Sequence, residues 1–178
     1  MTPLPNESTV DLLVRTISER SREDLEMIRR IEMAKRDWAH PALRKVAALV
    51  PASSSIVYVT GMSECTSEGA PGNPSQRAAG AIVVITDDLV VACTFTADAD
   101  LATKSEVTAW PRTALATLTV TKAQPPREAA GDGQGSTADA VAVLTMATGM
   151  KLRVPIEGNG TPDPALYQAL PKLLRFTS

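Results

Sequence analysis

Two adjacent carboxylates, Asp87 and Asp88, are the residues of this chain best placed for acid–base work. They fall between two apolar runs, Ala81–Thr86 and Leu89–Phe95, where the chain must turn. Asp is favoured at turns because its side chain bonds the nearby backbone, so the pair is read as a hairpin tip. Asp98 and Asp100 follow on the next loop but lack the spaced ligands and closing Glu of a calcium loop. His40 is the single histidine, and any Ser-His-Asp or Cys-His site would have to use it. It stands before Pro41 at a helix corner, where capping the helix end is the expected role. Cys65, in a polar stretch, and Cys93, in an apolar one, show neither metal-ligand spacing nor a disulfide framework. Gly131-Asp132-Gly133-Gln134-Gly135 imitates a phosphate loop, but no Lys-Ser/Thr follows and no helix opens behind it, so it reads as a tether. No catalytic, cofactor-binding or metal site is expected.

The composition is that of a folded globular protein without a polarised charge. The 178 residues suffice for one domain with an appendage. Hydrophobic residues make up 44% and aromatics only 3%, so the core must rest on Val, Ile, Leu, Ala and Met. The net charge is −2, and the first fifty residues carry 9 Lys/Arg against 8 Asp/Glu. That balance argues against a nucleic-acid partner. The opening MTPLPNESTVD has no basic-then-apolar signal pattern, and no apolar run reaches the roughly 20 residues of a membrane span. A soluble, cytoplasmic protein is expected.

The N-terminal part is helical by periodicity. Ser8-Thr9-Val10-Asp11 has the form of a capping box, with Val10, Leu13, Val14 and Ile17 on one face. Leu25, Ile28, Ile31, Ala34 and Trp38 continue an apolar stripe opposite a face of Arg22, Arg29, Arg30, Lys35 and Arg36 interleaved with Glu19, Glu23, Glu26 and Glu32. One helix over residues 8–38, about 45 Å long, competes with two helices hinged near Ser18–Ser21. Residues 1–40 are accordingly assigned to a helical arm, and Leu13, Ile17, Leu25, Ile28, Ile31 and Trp38 to its interaction surface. A short helix over Pro41–Leu49 follows.

The rest is β-rich. Strands are predicted at Ser55–Thr60, Ala81–Thr86, Leu89–Phe95, Glu106–Trp110, Ala114–Thr121, Asp139–Ala147 and Met150–Ile156. Met62–Arg77 reads as a long loop, Gln124–Thr137 as a mobile tract, and Thr148-Gly149 as a hairpin turn. Asp163-Pro164 caps a final helix carrying Leu166, Tyr167, Leu170, Leu173 and Leu174, which Pro171 should kink. No helix interrupts the strands, so the sheet is expected to be antiparallel.

This order resembles the bacterial pleckstrin-homology-like (PH-like) domains, related in fold to the GRAM domain, over roughly Leu43–Phe176. The resemblance rests on Leu43–Val50 leading into Ser55–Gly61, on Gly80–Asp87 ending in Thr-Asp, and on the apolar strand Leu89–Phe95. It continues through Glu106–Trp110, Ala114–Val120, Val141–Met146, Thr148-Gly149, Lys151–Ile156 and the helix Ala165–Phe176. It implies an α+β protein: a seven-stranded antiparallel PH-like β-barrel over residues 41–178, capped by a C-terminal helix and preceded by N-terminal helices. Lipid-binding members carry Lys and Arg around the first inter-strand loop. Here Met62–Arg77 has Glu64 and Glu68 and only Arg77 as a cation.

The expected function is therefore a non-enzymatic protein–protein interaction module. Its arm would form a homodimer or dock a protein partner. A peripheral domain binding anionic membrane lipid is the alternative.

Overall fold

The computed structural model describes residues 8–20, 39–51, 54–68, 75–97, 103–125, 138–156 and 163–175. Within them the order is α1 (Thr9–Arg20), α2 (Ala39–Leu49), β1 (Ile56–Glu68), β2 (Ser75–Thr86), β3 (Leu89–Ala97) and β4 (Thr103–Pro111). A 3-10 turn (Arg112–Ala114) leads to β5 (Leu115–Gln124), β6 (Asp139–Met146), β7 (Lys151–Val154) and α3 (Pro164–Leu174).

All strand pairs are antiparallel, as the lack of crossover helices required. They form two sheets, ordered β1-β2-β3-β4 and β5-β6-β7. Of the expected seven-stranded barrel, the described residues give seven antiparallel strands in a four-stranded and a three-stranded sheet, with no closed barrel among them. The break falls at the corner after β4. Pro111 cannot donate to a ladder, and the 3-10 turn behind it carries the chain into the second sheet.

The four-stranded sheet is the middle layer. Alternation along β2 sends Ile82 and Val84 to one face, where α1 and α2 pack. It sends Val83 and Ile85 to the other, where β5–β7 and α3 pack. β1 keeps this two-sided pattern through a bulge. Ile56 pairs with Thr86 and Tyr58 with Ile85, two steps on β1 against one on β2. Ile56 and Val59 thereby share the helix side while Tyr58 faces the second sheet.

The first hairpin is much longer than its apolar residues announce. Ser63–Glu68 and Ser75–Arg77, expected as loop, continue the ladder to Glu68 opposite Ser75. These residues are small and polar in sequence, without an apolar alternation, and it is the pairing with the neighbouring strand that holds them extended. Gly80 thus lies inside β2 rather than at its start. It stands opposite Phe95, and a Cβ there would collide with Phe95 Cζ and the Met62 carbonyl oxygen. The bare backbone lets the buried Phe95 ring lie across β2.

The helix ends are built as their sequences indicate. Ser8 Oγ accepts from Asp11 N at 3.2 Å while Asp11 Oδ2 accepts from Ser8 N at 3.3 Å, a reciprocal cap. Asp163 Oδ1 accepts from Ala165 N at 2.7 Å, with Pro164 opening the helix behind it. α3 runs on through Pro171 to Leu174. The β6–β7 turn places Gly149 at φ +84°, a conformation that glycine adopts without strain.

Candidate interaction surfaces

The Asp87–Asp88 pair is held by structural bonds. Asp87 Oδ1 accepts from Ser55 N at 3.0 Å, and Asp88 Oδ2 from Ser54 Oγ at 3.4 Å. The buried Thr86 hydroxyl accepts from Asp88 N at 3.2 Å and from Leu89 N at 2.9 Å. The carboxylates therefore tie the hairpin tip to the entry of β1.

Arg112 joins the layers at the same end of the molecule. Its backbone N donates to Asp88 O at 2.6 Å. The residue is 3% exposed, and its guanidinium donates to Thr86 O at 2.6 Å and Leu173 O at 3.5 Å. The second contact sets a cation at the C-terminal end of α3, where the helix dipole is negative. Burial lowers the Arg112 pKa, and the nearby Asp87 opposes that shift. At the other end of α3, the fully buried Tyr58 donates from its hydroxyl to Asp163 Oδ2 at 2.6 Å. Neither pairing carries a sequence signal, since Tyr58 and Asp163 lie 105 residues apart and Arg112 and Leu173 lie 61 apart.

Cys93 is a free, buried thiol on the helix-facing side of β3, and burial pushes its pKa up to about 11. A thiol held protonated is a packing group rather than a nucleophile. Cys65 lies in β1, not in a loop. It is opposite Ala78, which is opposite Ala97, four positions from Cys93. The two cysteines are thus about 13 Å apart along the strands alone, beyond the reach of a disulfide. Among the described residues, no three of His, Cys, Asp and Glu gather as a metal site.

The arm residues divide. Leu13 is fully buried and packs with Leu12 in the cluster of Ala42, Leu43, Val46, Ile56 and Val59. Ile17 lies on α1, although its side chain is outside the described residues. Leu25, Ile28, Ile31 and Trp38 also lie outside them, as do Asp98, Asp100, the Gly131–Gly135 tract and the His40 side chain. No described helix is long and apolar enough to cross a membrane.

The sequence reading missed one surface: the outer edge of β4. Among the described residues β4 pairs with β3 alone, and no described strand covers its other side. Arg112 N bonds Asp88 O in the register that continues as Trp110 opposite Val90, Thr108 opposite Ala92 and Glu106 opposite Thr94. Antiparallel bonding alternates, so Thr103, Ser105, Val107 and Ala109 turn their backbone groups outward. Two features agree with this phase. Pro111, with no N–H, falls on the outward set, and Lys45 Nζ reaches from α2 to donate to Ser105 O at 3.1 Å. Alternating side chains that stop at a proline are the sign of such an edge, but sequence alone does not say which strands are terminal.

Comparisons with protein-family models, with curated proteins and with solved structures each return no match.

Proposed function

We propose that this protein is a non-enzymatic protein-interaction module. It would be a PH-like scaffold whose segment between α1 and α2 pairs with a second copy or docks a partner protein. The order of layers supports the PH-like reading. Four antiparallel strands are followed by three, and then by a helix whose Leu166, Ala169, Leu170 and Leu173 enter the core between the sheets.

One observation carries the interaction reading. Leu13 before residues 21–38, and Ala42 and Leu43 after them, sit in a single buried cluster. The segment therefore starts and ends beside residues anchored in the scaffold. Leu25, Ile28, Ile31, Ala34 and Trp38 recur along it at the three-to-four spacing of an apolar helix face, and such a face gains by being covered. Leu13 serves the scaffold, and the contact surface is carried by Ile17, Leu25, Ile28, Ile31 and Trp38.

The test is size-exclusion chromatography with light scattering on the full chain and on a Leu25→Ser/Ile28→Ser/Ile31→Ser variant. Association lost in the variant, with unchanged melting, supports the reading. A full chain that neither self-associates nor captures a partner through this segment sinks it.

Anionic lipid binding has less behind it. The outward side of the second sheet presents Lys151 and Arg153, while its Lys122 already faces Asp139 at 3.5 Å. At about 1 kcal/mol per cation near an anionic surface, two such groups hold a domain weakly.

A further inference from the structure

We propose that β4 is a self-complementary docking strand. It would pair edge to edge, antiparallel, with β4 of a second copy about a two-fold axis at Ser105. This rests on reading the chain as an interaction module and names a contact on the scaffold itself.

Three observations select that register. The outward backbone groups of Thr103, Ser105 and Val107 are spaced to bond Val107, Ser105 and Thr103 of the second copy in turn. Lys104 and Glu106 flank the axis on one sheet face, both exposed. The two-fold sets each Lys104 directly across from Glu106 of the other copy, twice over. Both are non-hydrogen-bonded positions, where side chains approach most closely. Shifting the axis to Val107 would place Glu106 opposite Thr108 and lose both charge pairs. On the other face, the Ser105 hydroxyl is buried with no hydrogen-bond partner among the described residues. The register brings the two Ser105 residues opposite each other, at about 5.5 Å between Cα atoms, within range of a hydroxyl–hydroxyl bond.

Lys45 is the guard of this edge. In the single chain its ammonium occupies the Ser105 carbonyl, and lysine beside a free strand is a common defence against unwanted pairing. Pairing requires both Lys45 side chains, which are exposed, to swing away from the axis. The contact is therefore weak and concentration-dependent. The two-fold runs perpendicular to the sheet, so α2 of both copies lies on the same side.

Sedimentation velocity over a concentration series tests the pairing. Lys104→Glu and Glu106→Lys alone each place like charges opposite one another and should weaken dimerisation about tenfold or more. The double variant Lys104→Glu/Glu106→Lys should restore it. Mixing the two single variants should yield a heterodimer. Lys45→Ser should strengthen the dimer. A dimer that survives both single reversals but is lost in the Leu25/Ile28/Ile31 variant overturns the edge contact and leaves the segment contact standing. A chain monomeric at every concentration overturns the edge contact too. Capture of a different protein by residues 21–38 would then separate that failure from failure of the module reading.

Discussion

The hydroxyl of Tyr58 in β1 donates to Asp163 Oδ2 at 2.6 Å, and the other oxygen of that carboxylate caps α3 through Ala165 N at 2.7 Å. One side chain therefore fixes both the start of the last helix and its seat on the first sheet. Tyr58 is fully buried, so its hydroxyl depends on this acceptor. Tyr58→Phe should cost about 1.5–3 kcal/mol, the range for a hydrogen bond to a charged group. Asp163→Ala should cost more, because it also removes the cap, worth about 1 kcal/mol. Urea unfolding midpoints should rank the variants in that order.

Arg112 makes a second tie, at the opposite end of α3. Arg112→Met keeps the aliphatic stem but leaves the carbonyls of Thr86 and Leu173 without this donor. A loss of about 2–4 kcal/mol is expected, within the range for breaking buried polar networks. Arg112→Lys should recover only part of it, since an ammonium lacks the planar fork that spans both carbonyls. Thermal unfolding followed by circular dichroism would separate the three proteins.

Gly80 and Phe95 are coupled across β2 and β3. Gly80→Ala should cost about 1–3 kcal/mol through overpacking against the ring and the Met62 carbonyl. In a Phe95→Leu background the same substitution should cost less. A double-mutant cycle with additive effects would contradict the ring-over-glycine arrangement.

The Cys93 thiol, pushed up to about 11 by burial, binds its proton more tightly folded than unfolded, where the value is 9.0. A group raised in this way favours the folded state only while it stays protonated. Its contribution is complete below pH 9 and is lost as the pH climbs from about 9 to 11. Stability should fall across that window and fall less in Cys93→Ala, once the offset of the variant at neutral pH is subtracted. At pH 8, labelling of Cys93 by a thiol reagent should be slow until denaturant is added.

The sequence made parts of this fold legible for identifiable reasons. The β2–β3 hairpin announces itself through apolar runs, Ile82–Ile85 and Leu89–Ala92, on the two sides of Asp87-Asp88. α3 announces itself through Asp163-Pro164 and leucines at helical spacing. Ser63–Glu68 does not, because short polar residues become strand only by pairing with β2. Closure was not legible either, since a run of antiparallel strands is equally compatible with one barrel or two layers. That choice is made at Pro111–Ala114. Leu13 has the same helical spacing whether it faces a partner or a core, and only its packing with Leu43 and Ile56 distinguishes them. The edge role of β4 depends on strand order, which is a property of the assembled sheet.

Packing of α1 also decides which test of the module is clean. Removing residues 1–38 would strip Leu12 and Leu13 from the core, at roughly 2 kcal/mol each, and would confound association with unfolding. Substitutions confined to residues 25–31 leave Leu12 and Leu13 themselves in place. The most direct measurement is therefore light scattering on the full chain and on Leu25→Ser/Ile28→Ser/Ile31→Ser over the same concentration series, with melting monitored on both. The account predicts a concentration-dependent rise above the 18.8 kDa monomer mass for the full chain, and a marked loss of that rise in the variant at unchanged melting temperature. Equal masses for the two proteins at every concentration would contradict it.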